Sequence, residues 1–145
     1  MASLAVQQQQ HAMEDEPRTE VHAVQRASNV LDYQDLAPQV LRQRLVVEGY
    51  PASAISDNDI RDYLCRLSDL IGMKTLIDPV THCSDLYGWA GWIHWETSGA
   101  HFYAWEQPLL FFSVDIYSCK AFEVSKACEF TRQYFNAKKL TAKSF

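Results

Sequence analysis

Between residues 89 and 119 three β-patterned stretches follow one another with no helical segment between them. Strands that succeed each other directly pair antiparallel, whereas a parallel sheet needs a crossover helix after each strand. The last stretch, "LLFFSVDIYSC", is the plainest. Leu110, Phe112, Val114 and Ile116 fall on one face, and Ser113, Asp115, Tyr117 and Cys119 on the other. The two before it, "WAGWIHWE" and "HFYAW", are rich in aromatic residues suited to a pleated surface, and Thr97-Ser98-Gly99-Ala100 between them supplies the backbone freedom of a tight connection.

Two helical patterns flank this β region. In "SDNDIRDYLCRLSDLIGMK" the apolar residues Ile60, Tyr63, Leu64, Leu67, Leu70 and Ile71 recur at three and four residues, with Ser56 and Asp59 suited to the start and Gly72 to the end. In "FEVSKACEFTRQYF" the same spacing links Val124, Ala127, Cys128, Thr131 and Phe135. Leu45, Val46 and Val47 mark a first short strand, and "KTLI" a second that ends at Asp78 and Pro79, leaving "DPVTHCSDLYG" as a polar link. "AKKLTAKSF" reads as a closing extension. The expected fold is α+β, a two-layer sandwich with a largely antiparallel sheet and both helices on one face. The other face, carrying Asp115, Tyr117, Cys119 and several tryptophans, would lack a cover, which points to a second copy of the chain or a ligand upon it.

Residues 1–35, with a Gln run, the acidic "EDEP" and no fixed apolar period, read as a disordered tail before a domain at 36–145. A hydrophobic content of 48% over 145 residues supports one ordinary core. The net charge of -5 argues against nucleic acid or an anionic membrane as partner. No apolar run approaches a bilayer span and the start lacks a secretory pattern, so a soluble, cytoplasmic protein is expected. Cys65, Cys83, Cys119 and Cys128 lie in apolar patterns without C-x-x-C spacing and read as reduced, core or near-core thiols. His82, Cys83 and His94 lack metal-ligand spacing, so no metal site is expected.

The run from Gly88 to Phe122, "GWAGWIHWETSGAHFYAWEQPLLFFSVDIYSCKAF", resembles the small prokaryotic S-adenosylmethionine decarboxylases. "SVDIYSC" is the most specific match, Ser98 after Glu96 the second and Trp105 the third. The order of elements from about residue 42 to 137 is similar to that family's fold. The resemblance implies a pyruvoyl group made from Ser98: its hydroxyl attacks the Thr97 carbonyl, the ester eliminates, and the new amino terminus becomes a ketone. That ketone would serve as an electron sink for a substrate amine losing carbon dioxide. By the same resemblance Cys119 is the proton donor, Asp115 and Trp105 lie on the substrate side, the substrate is S-adenosylmethionine or a related amino acid such as ornithine or arginine, and the chain is a homodimer or higher homo-oligomer. Backbone strain in the tight connection would favour the attack.

Several positions depart from the family pattern. Gly99 stands where a histidine follows the serine, Ala90 where the preceding strand carries a serine, and Tyr103 where a histidine assists processing. Thr97 intervenes between Glu96 and Ser98. His101 has the strand parity of Tyr103 and is the candidate replacement imidazole. Glu96 suits either a substrate ammonium or solvent. The alternative function is an unprocessed relative that binds an adenosyl or amine ligand or acts as a regulatory subunit; thiol chemistry at Cys119 is a third option.

Overall fold

A computed structural model describes residues 33–145, of which 37–145 pack as one unit. The expectation of a disordered tail, in its first 32 residues, lies outside the described residues. The elements are β1 (Gln43–Tyr50), α1 (Asp57–Leu70), β2 (Thr75–Ser84), β3 (Gly88–Trp95), β4 (Ser98–Trp105), β5 (Phe111–Ser118), α2 (Val124–Tyr134) and β6 (Lys139–Ser144). The strands form one sheet in the order β2-β3-β4-β5-β1-β6. Every neighbouring pair is antiparallel, so the α+β two-layer architecture is the one that the order of patterns implies.

Parity decides which residues enter the core. Leu45 and Val47 on β1, Ile93 and Trp95 on β3, Ala100, Phe102 and Ala104 on β4, and Phe112, Val114 and Ile116 on β5 are all buried under the helices. From above, α1 contributes Ile60, Tyr63, Leu64 and Leu67, and α2 contributes Ala127 and Thr131. Tyr63 is the hub: its ring meets Phe102 at 5.4 Å and Phe135 at 4.9 Å, and its hydroxyl pairs with Thr131 Oγ1 at 2.7 Å. That bond satisfies a polar atom that would otherwise be costly so deep in the core. Trp95 is also fully buried, its indole N–H donating to Ser68 Oγ at 2.7 Å.

The opposite parity builds the open face. One row across it reads Lys143, Val46, Asp115, His101, Trp92 and Val80 from β6 to β2. The adjacent row reads Thr141, Glu48, Ser113, Tyr103, Ala90 and His82. Only part of the tryptophan expectation holds, because Trp89 and Trp95 have the helix-facing parity and Trp92 and Trp105 the open-face parity.

Four further expectations are corrected. β2 does not stop at Asp78 and Pro79 but runs on to Ser84, with register shifts between Thr75 and Val80, so most of the supposed polar link is strand. Proline is tolerated there because β2 is an edge strand, where a missing N–H breaks no ladder bond. The closing extension is β6, paired to β1 from Leu45↔Ser144 to Tyr50↔Lys139. The β3–β4 connection is the two-residue turn Glu96-Thr97, and Ser98, Gly99 and Ala100 already belong to β4. Finally, Cys65, Cys83 and Cys119 are exposed rather than core or near-core, whereas Cys128 is half-buried against the core; all four are free thiols.

Candidate active site

Ser98 opens β4 directly after the Glu96-Thr97 turn and pairs with Trp95 on one side and Ser118 on the other. It is half-buried and shares the helix-facing parity of Ala100 and Phe102. Thr97 is exposed, and its Oγ1 lies 3.3 Å from Ser98 Oγ. The carbonyl that Ser98 would attack belongs to Thr97, and this oxygen accepts a hydrogen bond from the Cys119 backbone N–H at 3.1 Å. Sequence separates these residues by more than twenty positions; the β4–β5 register brings them together.

The same sheet end is pinned from the α1–β2 connection. Glu96 N–H donates to the Lys74 carbonyl at 2.9 Å, and Lys74 Nζ meets Glu96 Oε1 at 2.8 Å. Glu96 is therefore already paired with a cation on an exposed surface. Lys120 Nζ donates to the Gly72 carbonyl at 2.6 Å, and Lys120 N–H to Ser118 Oγ at 2.9 Å. Ser118 Oγ in turn lies 3.7 Å from Met73 Sδ. Gly72 has φ +69°, a left-handed conformation suited to the residue that ends α1.

Cys119 immediately follows β5 and is exposed, its thiol pointing to the Tyr117 hydroxyl at 3.7 Å. Its backbone N–H joins it to the Thr97 carbonyl, while its thiol lies on the Tyr117 side. His101 is elsewhere. It lies three residues along β4 from Ser98, about 10 Å at strand spacing, and has the opposite parity. It shares its face with Tyr103, as the parity argument requires, but the structure does not bring it beside Ser98. Tyr103 and Ala90 stand directly opposite each other across β3 and β4. Two of the departures from the family pattern thus form one cross-strand pair.

Gly99 is explained by close approach. A Cβ built there would lie 2.8 Å from the Ile93 carbonyl oxygen, a backbone atom, so this hairpin has no room for the family's histidine without a shift of the strands. Among the described non-glycine residues only Asn136 has a positive φ, so neither Glu96 nor Thr97 is left-handed. Asp115 is held by Arg44 in a two-point ion pair, Nε to Oδ1 at 2.9 Å and Nη2 to Oδ2 at 2.6 Å. This engagement raises the Arg44 pKa further, first through the hydrogen bond and then through the charge. Trp105 is half-buried among rings, 5.8 Å from Tyr103, 5.4 Å from Phe111 and 6.0 Å from Tyr87. Among the described residues no three His, Cys, Asp or Glu side chains are grouped to hold a metal ion.

Lys74, Lys120, Arg44 and Ser118 were not singled out from sequence. All four act across long sequence separations, and only the register reveals them. Arg44 had one local signal, since it shares strand parity with Val46 and Glu48 and so had to lie on the open face.

No curated protein sequence matches the chain. A family model described as S-adenosylmethionine decarboxylase matches residues 30–145. Among solved structures, the adenosylmethionine decarboxylase of Aquifex aeolicus VF5 superposes with a TM-score of 0.61, covering 73% of this chain and 89% of that one at 17% identity, a likeness of fold. With its fold, its strand order and the family match over most of its length in agreement, the chain belongs to the S-adenosylmethionine decarboxylase family.

Proposed function

We propose that the protein is a self-processing, pyruvoyl-dependent decarboxylase that cleaves itself between Thr97 and Ser98 and acts on S-adenosylmethionine in polyamine synthesis. One observation carries this reading: the Thr97 carbonyl oxygen receives the Cys119 N–H at 3.1 Å. A fixed N–H on the oxygen that becomes an oxyanion stabilises the tetrahedral adduct formed when Ser98 Oγ attacks. In the balanced step an O–C bond forms to the Thr97 carbonyl carbon and the C–N bond to Ser98 breaks, its nitrogen taking the proton that Oγ loses. Elimination then frees the Thr97 carboxylate, and water replaces the nitrogen of residue 98 with release of ammonia.

The donor set suits the pyruvoyl group. Ser98 supplies its carbon skeleton; the ties from Thr97 to Cys119 and from Glu96 to Lys74 hold the residues before the cut, and the pairing of Ser98 with Trp95 and Ser118 holds the residue after it. The group contributes a ketone that withdraws electrons from a bound amine. Cys119, exposed at the same sheet end, is the residue that would return a proton. Glu96 is less suited to hold a substrate ammonium, because Lys74 already meets its carboxylate. The open face, with Asp115, Tyr103 and Trp105, is the proposed substrate and dimer side, and the protein is proposed to work as a soluble cytoplasmic homodimer. No helix among the described residues is long and apolar enough to cross a membrane.

A second reading rests on a separate observation. His101 has the opposite parity to Ser98, and Ala90 and Tyr103 replace the family's polar pair. An unprocessed relative that binds an adenosyl or amine ligand, or serves as a regulatory subunit, would show the same features. Intact mass under denaturing conditions separates the two. Two fragments divided at Ser98, the smaller beginning with a ketone, are expected for the wild type, and one uncut chain for Ser98→Ala. A wild type that remains a single unmodified chain after prolonged incubation with S-adenosylmethionine would establish the binding relative instead.

A further inference from the structure

Thr97 is the residue this sequence places between Glu96 and the candidate nucleophile, and the reading above gives its side chain no task. Its hydroxyl lies 3.3 Å from Ser98 Oγ, a long contact for two hydroxyls. Of the other neighbours, Ser118 stands opposite Ser98 across the ladder, but its hydroxyl accepts from Lys120 N–H and lies beside Met73 Sδ. Gly99 has no side chain, and the Ile93 carbonyl occupies the space one would need. His101 has the opposite strand parity.

We propose that Thr97 is the positioning residue of self-processing. Serine samples three χ1 wells, and few of its conformers aim Oγ at the preceding carbonyl carbon. Threonine is stiffer at χ1 because it branches at Cβ, so its hydroxyl offers Ser98 a fixed partner. As the attack draws the two oxygens together, the Thr97 hydroxyl accepts the Ser98 proton and releases its own to water. It ends unchanged, and the proton reaches the departing nitrogen through solvent. The Thr97 main-chain carbonyl is at the same time tied to Cys119 N–H. One residue thus presents the electrophile and orients the nucleophile. Because the acceptor is solvent rather than an imidazole, no group in the relay titrates in the neutral range, and the rate should show no inflection at the ordinary histidine pKa of about 6.5.

This inference rests on cleavage at Ser98, and the test separates the two. Freshly translated wild type, Thr97→Val, Thr97→Ala and Thr97→Ser are followed by intact mass over time at several pH values, with thermal melting recorded for each. Thr97 is exposed in a turn, so all four are expected to fold. Loss of the hydroxyl in Thr97→Val and Thr97→Ala should slow cleavage by about threefold to tenfold, the range of one lost hydrogen bond. Thr97→Ser should restore most of the rate. Cleavage of both hydroxyl-free variants at the wild-type rate, or a wild-type inflection near pH 6.5, would overturn the role of Thr97 while leaving self-processing intact. An uncut wild type would overturn both, and the wild-type mass alone reveals it.

Discussion

Asp62 on α1 lies between two groups, the Tyr134 hydroxyl, which donates to its Oδ2 at 2.6 Å, and Arg66 at 2.9 Å. The tyrosine bond holds this carboxyl below the usual carboxylate range, burial pushes the other way, and Arg66 adds to the lowering. Burial, and then Asp62 itself, push the Tyr134 hydroxyl well above its ordinary value. The signs follow from linkage. A depressed carboxyl stabilises the fold above its unfolded pKa of about 4 and loses that contribution as pH falls through the folded value. A raised tyrosine stabilises below its unfolded pKa of about 10 and loses that contribution as pH rises through its folded value. In Tyr134→Phe the Asp62 pKa should rise, read from the carboxyl carbon shift in an NMR titration, and acid should cost the variant less stability than the wild type below pH 4. An unchanged Asp62 titration would show that the bond does not hold in solution. At the same level of detail, sequence made Ser98, Cys119 and Asp115 legible because the family motif surrounds them. Their contacts, Thr97 carbonyl to Cys119 N–H and Arg44 to Asp115, are invisible in the sequence because no local pattern encodes cross-strand register.

α1 begins with a reciprocal cap. Asp59 N–H donates to Ser56 Oγ at 3.2 Å, and Ser56 N–H to Asp59 Oδ2 at 2.9 Å. Asp57 and Asp59 also place negative charge at the positive end of the helix dipole. Ser56→Ala should lower unfolding free energy by about 1 kcal/mol in urea titration. Ser56→Thr should retain most of it, and a loss equal to that of alanine would assign the effect to packing rather than to the cap. Helices of this kind are legible because caps and the 3.6-residue period are local. The edge strands were not. Of the residues of β2 only Pro79 is buried, and of β6 only Leu140 is even half-buried, so neither carries the two-residue alternation that marks a strand between a core and solvent. Gly99 is ambiguous for a related reason: a glycine suits a turn, but here it serves the close approach of two strands.

The sheet has helices on one face only, and the other leaves Trp92 37%, Tyr103 39%, Tyr117 42% and Val80 42% exposed. Beside them Arg44 and Asp115 neutralise each other, and the remaining charges of the two rows, Lys143 and Glu48, lie at the β1–β6 end. A face this aromatic with few unpaired charges is better suited to burial against another protein surface than to solvent. A second copy can supply that surface through a two-fold axis, which needs a patch complementary only to itself. Such pairing would also bring Tyr103 and Ala90, distant from Ser98 within one chain, toward a partner's sheet. Sedimentation equilibrium should therefore find a dimer, and Trp92→Glu should shift it toward monomer by placing a carboxylate in a desolvated interface. The substitution is at an exposed site, so the far-ultraviolet circular dichroism of the monomer should match that of the wild type. A wild type that stays monomeric at tens of micromolar, a concentration where even a weak interface of standard size associates, would leave this face to a ligand or a different protein. Because the proposed processing bond is held within one chain by the Thr97–Cys119 contact, the Trp92→Glu monomer should still cleave at Ser98, separating the requirement for assembly from the requirement for self-processing.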